Sequence, residues 1–367
     1  MGVTDRYWGP IEPSEAAAVL GRPVEIVAQH LRWLFAVARC RWDGGEAIVK
    51  RQPPMGRDPG QLHWQHRLAN HVADRGVPAV RSRGIVIHDE LWYELFDVAR
   101  GDDTYAGVDT WEPFRSPRHV RSAGRMLAAL HEAGDDFEPR IPQPQRGFVV
   151  QIGSVRLAPA DAMELLASER AAVAAYLAGR AWRDQVERAY GELFDRLRPV
   201  VSSLPTAPLH GDWQTNNLFF RGDEVSAVID FHQADYAQRM LDLAVAVERN
   251  CFFWNRISEG DDQAYDLEHA RLLIEAYDDQ SRISAAERAA FADILAACQF
   301  EYGISFLDYY WGIERDAEKA DWAWETFVLG HALWWQSEAG RRARGGIEAI
   351  CEGLPTPAKV SETCRPT

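Results

Sequence analysis

The sequence predicts an α+β fold in two parts: a small β-sheet lobe with one helix over residues 1–97, then a larger, mostly helical lobe over residues 98–367. Three observations predict it. In the first hundred residues, apolar side chains alternate in short runs bounded by turn residues, the pattern of half-buried strands. From about residue 116 onward the apolar period is helical. The exception is a hairpin near residue 220 that follows a loop dense in polar groups. With 47% hydrophobic residues over 367 positions, the chain can fill a large core as one domain or two lobes.

Residues 24–27, 34–41 and 47–51 read as strands, and Asp43-Gly44-Gly45 is a hairpin turn between the last two. Pro53-Pro54-Met55-Gly56 breaks the pattern, and residues 61–73 read as a helix ending near Gly76 and Pro78. Residues 84–87 and 91–98 form a second hairpin across His88-Asp89-Glu90. The boundary between lobes falls at residues 98–101. The main helical stretches are 160–201, 240–254, 265–280 and 285–314, and the tail after Pro355 is polar and contains prolines.

The most informative segment is His210-Gly211-Asp212-Trp213-Gln214-Thr215-Asn216-Asn217, followed by Ile229-Asp230-Phe231. Leu218-Phe219-Phe220 reads as a strand, Arg221-Gly222-Asp223 as a turn, and residues 225–230 as the returning strand. Asp212 and Asn217 therefore bracket a loop, with Asp230 beside them. Protein kinases place a catalytic Asp and a Mg²⁺-binding Asn at this spacing, with a second metal-binding Asp downstream. On that logic Asp212 orients the attacking hydroxyl, and Asn217 and Asp230 hold Mg²⁺. His210 is expected to brace the loop.

On these residues the chain resembles the aminoglycoside phosphotransferase and choline kinase group, which includes homoserine, methylthioribose and other small-molecule kinases. The resemblance runs over roughly residues 24–335 and is strongest from His210 to Asp242-Leu243-Ala244. Gly124-Arg125-Met126-Leu127-Ala128-Ala129-Leu130-His131 resembles a second family segment, L-A-x-L-H. It implies a bilobal protein-kinase-like fold and nucleotide-dependent phosphorylation of a hydroxyl, with Asp242 fixing the catalytic loop.

On the nucleotide side, Lys50 ends Ala47-Ile48-Val49-Lys50, much as the V-A-I-K strand presents its phosphate-pairing lysine. It is one of only three lysines. The helical glutamate that normally holds such a lysine is replaced by Gln65, with Glu25, Glu46 and Glu94 as alternatives. The first strand turn reads Gln29-His30-Leu31-Arg32-Trp33 without glycine, so Arg32 is the candidate phosphate contact there. Phe96-Asp97-Val98 is the expected hinge, with backbone groups there, at Phe96 and Val98, binding the edge of the nucleotide base. ATP and GTP both remain open as the donor.

No run of about eighteen apolar residues reads as a membrane span, and the N-terminus lacks a secretory pattern. Five scattered cysteines form neither a disulfide framework nor a metal spacing, which fits a reducing cytoplasm. The net charge of −15 disfavours nucleic acid. Residues 1–100 are nearly balanced, so the acidic excess falls on the second part, where it would draw in a cationic acceptor or simply aid solubility. Aromatic residues crowd the chain after Asp242, and Asp235, Glu301 and Asp308 are the candidate acceptor-binding acids. The expected acceptor is a small hydroxyl compound such as an antibiotic, amino alcohol or sugar. Two rivals remain: a kinase of Ser/Thr in a peptide precursor, and a pseudokinase that binds without turnover. The oligomeric state is open.

Overall fold

The computed structural model describes residues 9–31, 35–52, 59–139, 148 and 150–355. Helix α1 (Pro13–Leu20) precedes strands β1 (Glu25–Leu31), β2 (Ala36–Trp42) and β3 (Gly45–Gln52). Helix α2 (Pro59–Asp74) follows, then β4 (Ser82–His88) and β5 (Leu91–Phe96). The five strands form one antiparallel sheet in the order β1-β2-β3-β5-β4. Gly44, at φ +84°, makes the turn between β2 and β3.

The two-residue period of the strands decides what each face does. Ala36, Ala38, Cys40, Val49, Tyr93 and Leu95 pack with Ile11, Ala16 and Val19 under α1. Arg51 is buried on this side because its Nη1 donates to Glu15 Oε1 at 2.7 Å. Val37, Arg39, Ile48 and Lys50, one residue out of phase, face a cavity instead. Helix α2 packs against β4 and the turn Phe231–Gln233.

The remainder is mostly helical: α3 (Pro117–Ala133), α4 (Pro159–Glu169), α5 (Ala171–Leu177), α6 (Trp182–Leu197), α7 (Arg239–Cys251), α8 (Trp254–Ser258), α9 (Leu267–Gln280), α10 (Ala285–Ala297) and α11 (Gln299–Tyr309), with further helices to Gly353. Within it lie β6 (Thr206–Leu209) paired with β9 (Asp235–Gln238), and the hairpin β7 (Leu218–Arg221)–β8 (Glu224–Val228). The result is an α+β fold with a small sheet and a large helical body. Two short backbone links join the sheet's exit to the hairpin. Val80 N donates to Val228 O at 2.9 Å, and Asp102 N donates to Phe220 O at 2.7 Å.

Helix α7 is the axis of the body, buried at every position from Met240 to Cys251. Asp242 in its first turn is wholly buried. Its Oδ2 accepts from His210 N at 2.6 Å and from His131 Nε2 at 3.1 Å, and its Oδ1 accepts from Gly211 N at 2.9 Å. His131 also contacts Tyr277 Oη at 2.7 Å, which ties α3 and α9 to the same carboxylate. Helices α3 and α9 run so close that a Cβ on Gly124 would lie 2.5 Å from Leu273 O.

Several expectations need correction. The stretch 160–201 is three helices and a short 3-10 turn, interrupted at Arg170 and at Gly179, whose φ is +75°. The returning strand of the hairpin ends at Val228, leaving Asp230 past it in a left-handed conformation at φ +64°. The pairing of β6 with β9 carries no local sequence signal. By length and composition alone Ala285–Glu314 could cross a membrane. Its apolar window is entirely buried, so the protein's own core accounts for its composition.

The Asp242 contacts generate a stability prediction. Burial alone would raise the pKa of Asp242, but hydrogen bonding and attraction from His131, together with His210, hold it below the usual aspartate range. Asp242→Asn sets an amide N–H₂ against donors and is expected to cost about 2–4 kcal/mol at neutral pH. A folded-state pKa below the unfolded value means the contribution is present above about pH 4 and is lost as pH falls further. Denaturant melts of both proteins should therefore converge as the pH drops below about 4. Equal stability at pH 7 would contradict the role given to this carboxylate.

Candidate active site

The polar loop after β6 is shaped by sterics. Gly211 has φ +80°, and a Cβ there would sit 2.1 Å from Gln233 O, so only glycine fits. The turn carries Asp212 into the cavity. His210 braces it: Nδ1 accepts from Asp212 N at 3.2 Å while Nε2 donates to Ile229 O at 2.9 Å. From α7, Asn250 clamps the far side, accepting from Thr215 N at 3.1 Å and donating to Trp213 O at 3.0 Å.

Asp212 Oδ2 accepts from Gln214 Nε2 at 2.8 Å and from Asn217 Nδ2 at 3.1 Å. Asp212 Oδ1 is buried and accepts no hydrogen bond. Burial raises the Asp212 pKa above the usual aspartate value, against the pull of Arg249. Asn217 Nδ2 also donates to Asp212 O at 2.9 Å, so its amide nitrogen is committed and its carbonyl oxygen is left for another partner. Asp230 Oδ1 accepts from Lys50 Nζ at 2.9 Å and lies 2.6 Å from His232 Nδ1. Burial opposes ionisation of Asp230, but the charges of Lys50 and His232 hold its carboxyl well below the usual range.

The group that organises Lys50 comes from the adjacent strand. Glu94 stands directly opposite Lys50 in the β3–β5 register. Its Oε1 accepts from Gln52 Nε2 at 2.8 Å and from His232 Nε2 at 2.6 Å, and its Oε2 accepts from His66 Nε2 at 2.6 Å. Burial would raise its pKa, but His232, His66 and the charge of Lys50 more than offset that and depress it strongly. His232 thus bridges Glu94 to Asp230, and Lys50 Nζ touches the same His232 ring. The ammonium also lies 3.8 Å from the Phe35 ring centroid.

Gln65 does not hold Lys50. Its Nε2 donates to His232 O at 2.7 Å and Ala234 O at 3.1 Å, pinning the segment after Asp230. Of the alternatives, Glu46 pairs with Arg39 and Arg41 on the far end of the hairpin, and Glu94 takes the organising position. The signal for Glu94 was its cross-strand register with Lys50, which no helix-based spacing contains.

One cavity of about 1270 Å³ joins these groups. Val37, Ile48, Ala69, Val80, Phe96 and Val98 give it an apolar end beneath the sheet, with Lys50, Gln65 and Asp230 beside them. Asp212 and Asn217 lie between that end and an aromatic one formed by Trp111, Tyr302, Phe306, Tyr310, Trp322 and Phe327. Tyr310 and Phe327 belong to π-helical turns, Tyr310–Glu314 and Ala323–Gly330. Arg32 lies outside the described residues. Asp235, Glu301 and Asp308 are not among the lining residues. Asp235 is buried on β9, and buried Glu301 accepts from Ser154 N at 3.0 Å. Arg249 and Trp111, which sequence reasoning passed over, do line the cavity. A charged pair, Glu248-Arg249, at the end of the apolar run 243–247 was the available signal.

Residues 29–282 match the phosphotransferase enzyme family. The homoserine kinase of Granulibacter bethesdensis is 26% identical over 258 residues, covering 68% of this chain and 70% of that protein. The homoserine kinase of a Janthinobacterium species is 27% identical over 266 residues, covering 70% of this chain and 72% of that protein. Among solved structures, a type VIII aminoglycoside-3'-phosphotransferase matches with a TM-score of 0.44 at 20% identity, over 74% of this chain and 92% of that chain. A ternary complex of streptomycin, ATP and APH(2")-IIa matches with a TM-score of 0.49 at 15% identity, over 89% and 95%. The chain belongs to the phosphotransferase enzyme family and is a kinase that phosphorylates a hydroxyl group.

Proposed function

We propose that the protein transfers the γ-phosphate of ATP to a hydroxyl of a small polar molecule, with Asp212 as the group that orients the hydroxyl and takes its proton. The observation that carries this reading is that Asp212 Oδ1 accepts no hydrogen bond from the described residues and is set where the apolar and aromatic ends of one cavity meet. A phosphoryl acceptor must reach that oxygen from one side while the nucleotide approaches from the other. In the reaction the acceptor oxygen bonds to the γ-phosphorus, the bond to the β-phosphate oxygen breaks, and the hydroxyl proton passes to Asp212.

The residues present fit Mg²⁺. Asn217 engages Asp212 through its amide nitrogen and Asp230 engages Lys50 and His232 through Oδ1, so among the described residues the Asn217 carbonyl oxygen and Asp230 Oδ2 are the atoms that would take a metal. Among the described residues no group of three or more His, Cys, Asp or Glu side chains is arranged for a metal. An amide and a carboxylate are the small protein share that suits Mg²⁺ alongside phosphate oxygens. Bound there, Mg²⁺ would neutralise phosphate charge. Lys50, held by Asp230 and His232 with Glu94 behind the His232 ring, is placed to pair with phosphate, and Phe96 and Val98 lie at the base end of the cavity. The curated relatives named homoserine kinase support a small hydroxyl acceptor. A cytoplasmic setting is part of the proposal: Cys40, Cys251, Cys298 and Cys351 are free and buried.

Transfer of label from γ-labelled ATP into amino alcohols, hydroxy acids, sugars and aminoglycosides tests the proposal. Asp212→Asn is expected to lower turnover by about a hundred- to ten-thousand-fold while nucleotide binding persists. Undiminished transfer in this variant would remove Asp212 from the chemistry. A second expectation separates this site from the usual lysine–glutamate pairing. Gln65→Glu would set a carboxylate against the carbonyl oxygens of His232 and Ala234. It should destabilise the fold by about 1–3 kcal/mol and reduce activity. A more active or more stable Gln65→Glu protein would show that Lys50 wants its partner on α2 after all.

A further inference from the structure

The aromatic end of the cavity holds a cation without hydrogen-bond acceptors. Arg249 is 1% exposed, lines the cavity, and none of its three guanidinium nitrogens has a hydrogen-bond partner among the described residues. Its Nε is 3.5 Å from Asp212 Oδ1 and its Nη1 is 3.5 Å from Glu248 Oε2. These contacts balance charge but are too long for good hydrogen bonds. The rings of Tyr302 and Trp111 bracket the guanidinium, with centroids 4.5 and 5.5 Å from its Cζ. Trp111 is itself fixed, donating from Nε1 to Glu248 Oε1 at 2.9 Å.

A buried guanidinium with all donors idle is costly unless a ligand completes it. Its planar fork matches a carboxylate, which it can bind through two parallel hydrogen bonds. The neighbouring Asp212 Oδ1 has the opposite need, since it lacks a donor. The Oδ2 side of Asp212 is closed by Gln214 and Asn217, so the idle oxygen and the idle cation share the aromatic side. A hydroxyl on Oδ1 and an anion on Arg249 would satisfy both at once.

We propose that Arg249 binds a carboxylate of the acceptor, so that the molecule phosphorylated is a compact hydroxy acid and not the cationic compound that the chain's acidic surface would attract. This rests on the kinase reading above. The covalent step is unchanged: the acid's own hydroxyl oxygen takes the γ-phosphoryl group, Asp212 takes the proton, and ADP leaves. An ammonium in the same place would face the guanidinium and would be rejected.

The test uses the full chain with ATP and Mg²⁺, and compares hydroxy acids with their decarboxylated analogues, L-homoserine beside 3-aminopropan-1-ol first, and an aminoglycoside. Acids are expected to be preferred by about a hundredfold or more in kcat/KM. Arg249→Gln should shrink that preference to within about tenfold, with Arg249→Lys between, since a point charge keeps the attraction but loses the fork. The comparison in the unaltered protein decides the matter even if both variants fold poorly. Equal use of the decarboxylated analogues or of the aminoglycoside would overturn the proposal, as would an equal loss for both members of each pair in Arg249→Gln. So would failure of every acid while ATP is still bound and hydrolysed. Absence of ATP binding and hydrolysis would instead overturn the kinase reading, and this inference with it.

Discussion

A single buried carboxylate holds the site together. Asp242 has no exposure, and an ionised group in that position is tolerable only when both of its oxygens accept hydrogen bonds. It accepts from the backbone N–H groups of His210 and Gly211 and from His131. The first two contacts fix the start of the loop that carries Asp212, and the third draws in α3, with α9 behind it through Tyr277. Asn250 lies eight residues on, a little over two turns along the same helix face, and secures Trp213 and Thr215. Helix α7 is therefore a rigid ruler that sets where Asp212 stands, and Arg249, beside Asn250, takes its position from the same ruler.

The electrostatics around Lys50 follow a similar economy. A fully buried Glu94 sits among His66, His232, Gln52 and Lys50, and its depressed pKa reflects those partners overcoming burial. The strand-borne glutamate couples the sheet to the Asp230 segment without a helix in between. Gln65, one residue from His66 on α2, then serves as a backbone clip for the same segment. A carboxylate at position 65 would repel those carbonyls.

The legible parts of the site were the ones written in local spacing. The loop from His210 to Asn217 and the hairpin after it are contiguous, so motif and turn residues place Asp212, Asn217 and Asp230 near each other before any tertiary contact is known. Lys50 was readable from its strand and from the scarcity of lysine. Glu94 as its organiser was not singled out, because that role depends on register between strands more than forty residues apart. Glu301 and Asp308 stand out for charge among aromatics and Asp235 for its nearness to Asp230, yet composition cannot tell an acid that faces a cavity from one buried against a backbone N–H, as Glu301 is. Arg249 is the converse case: within a long apolar helix a charge reads as an interruption, and its meaning lies in the Asp212 oxygen that it faces at 3.5 Å without a hydrogen bond.

The central claim is that Asn217 and Asp230 hold the metal–nucleotide beside Asp212. Anomalous scattering from crystals grown with Mn²⁺ and a non-hydrolysable ATP analogue tests it most directly. The account predicts a peak within coordinating distance of the Asn217 side-chain oxygen and the Asp230 carboxylate, with Lys50 moved from Asp230 onto phosphate. A peak elsewhere, or nucleotide bound with Lys50 still on Asp230, would contradict it.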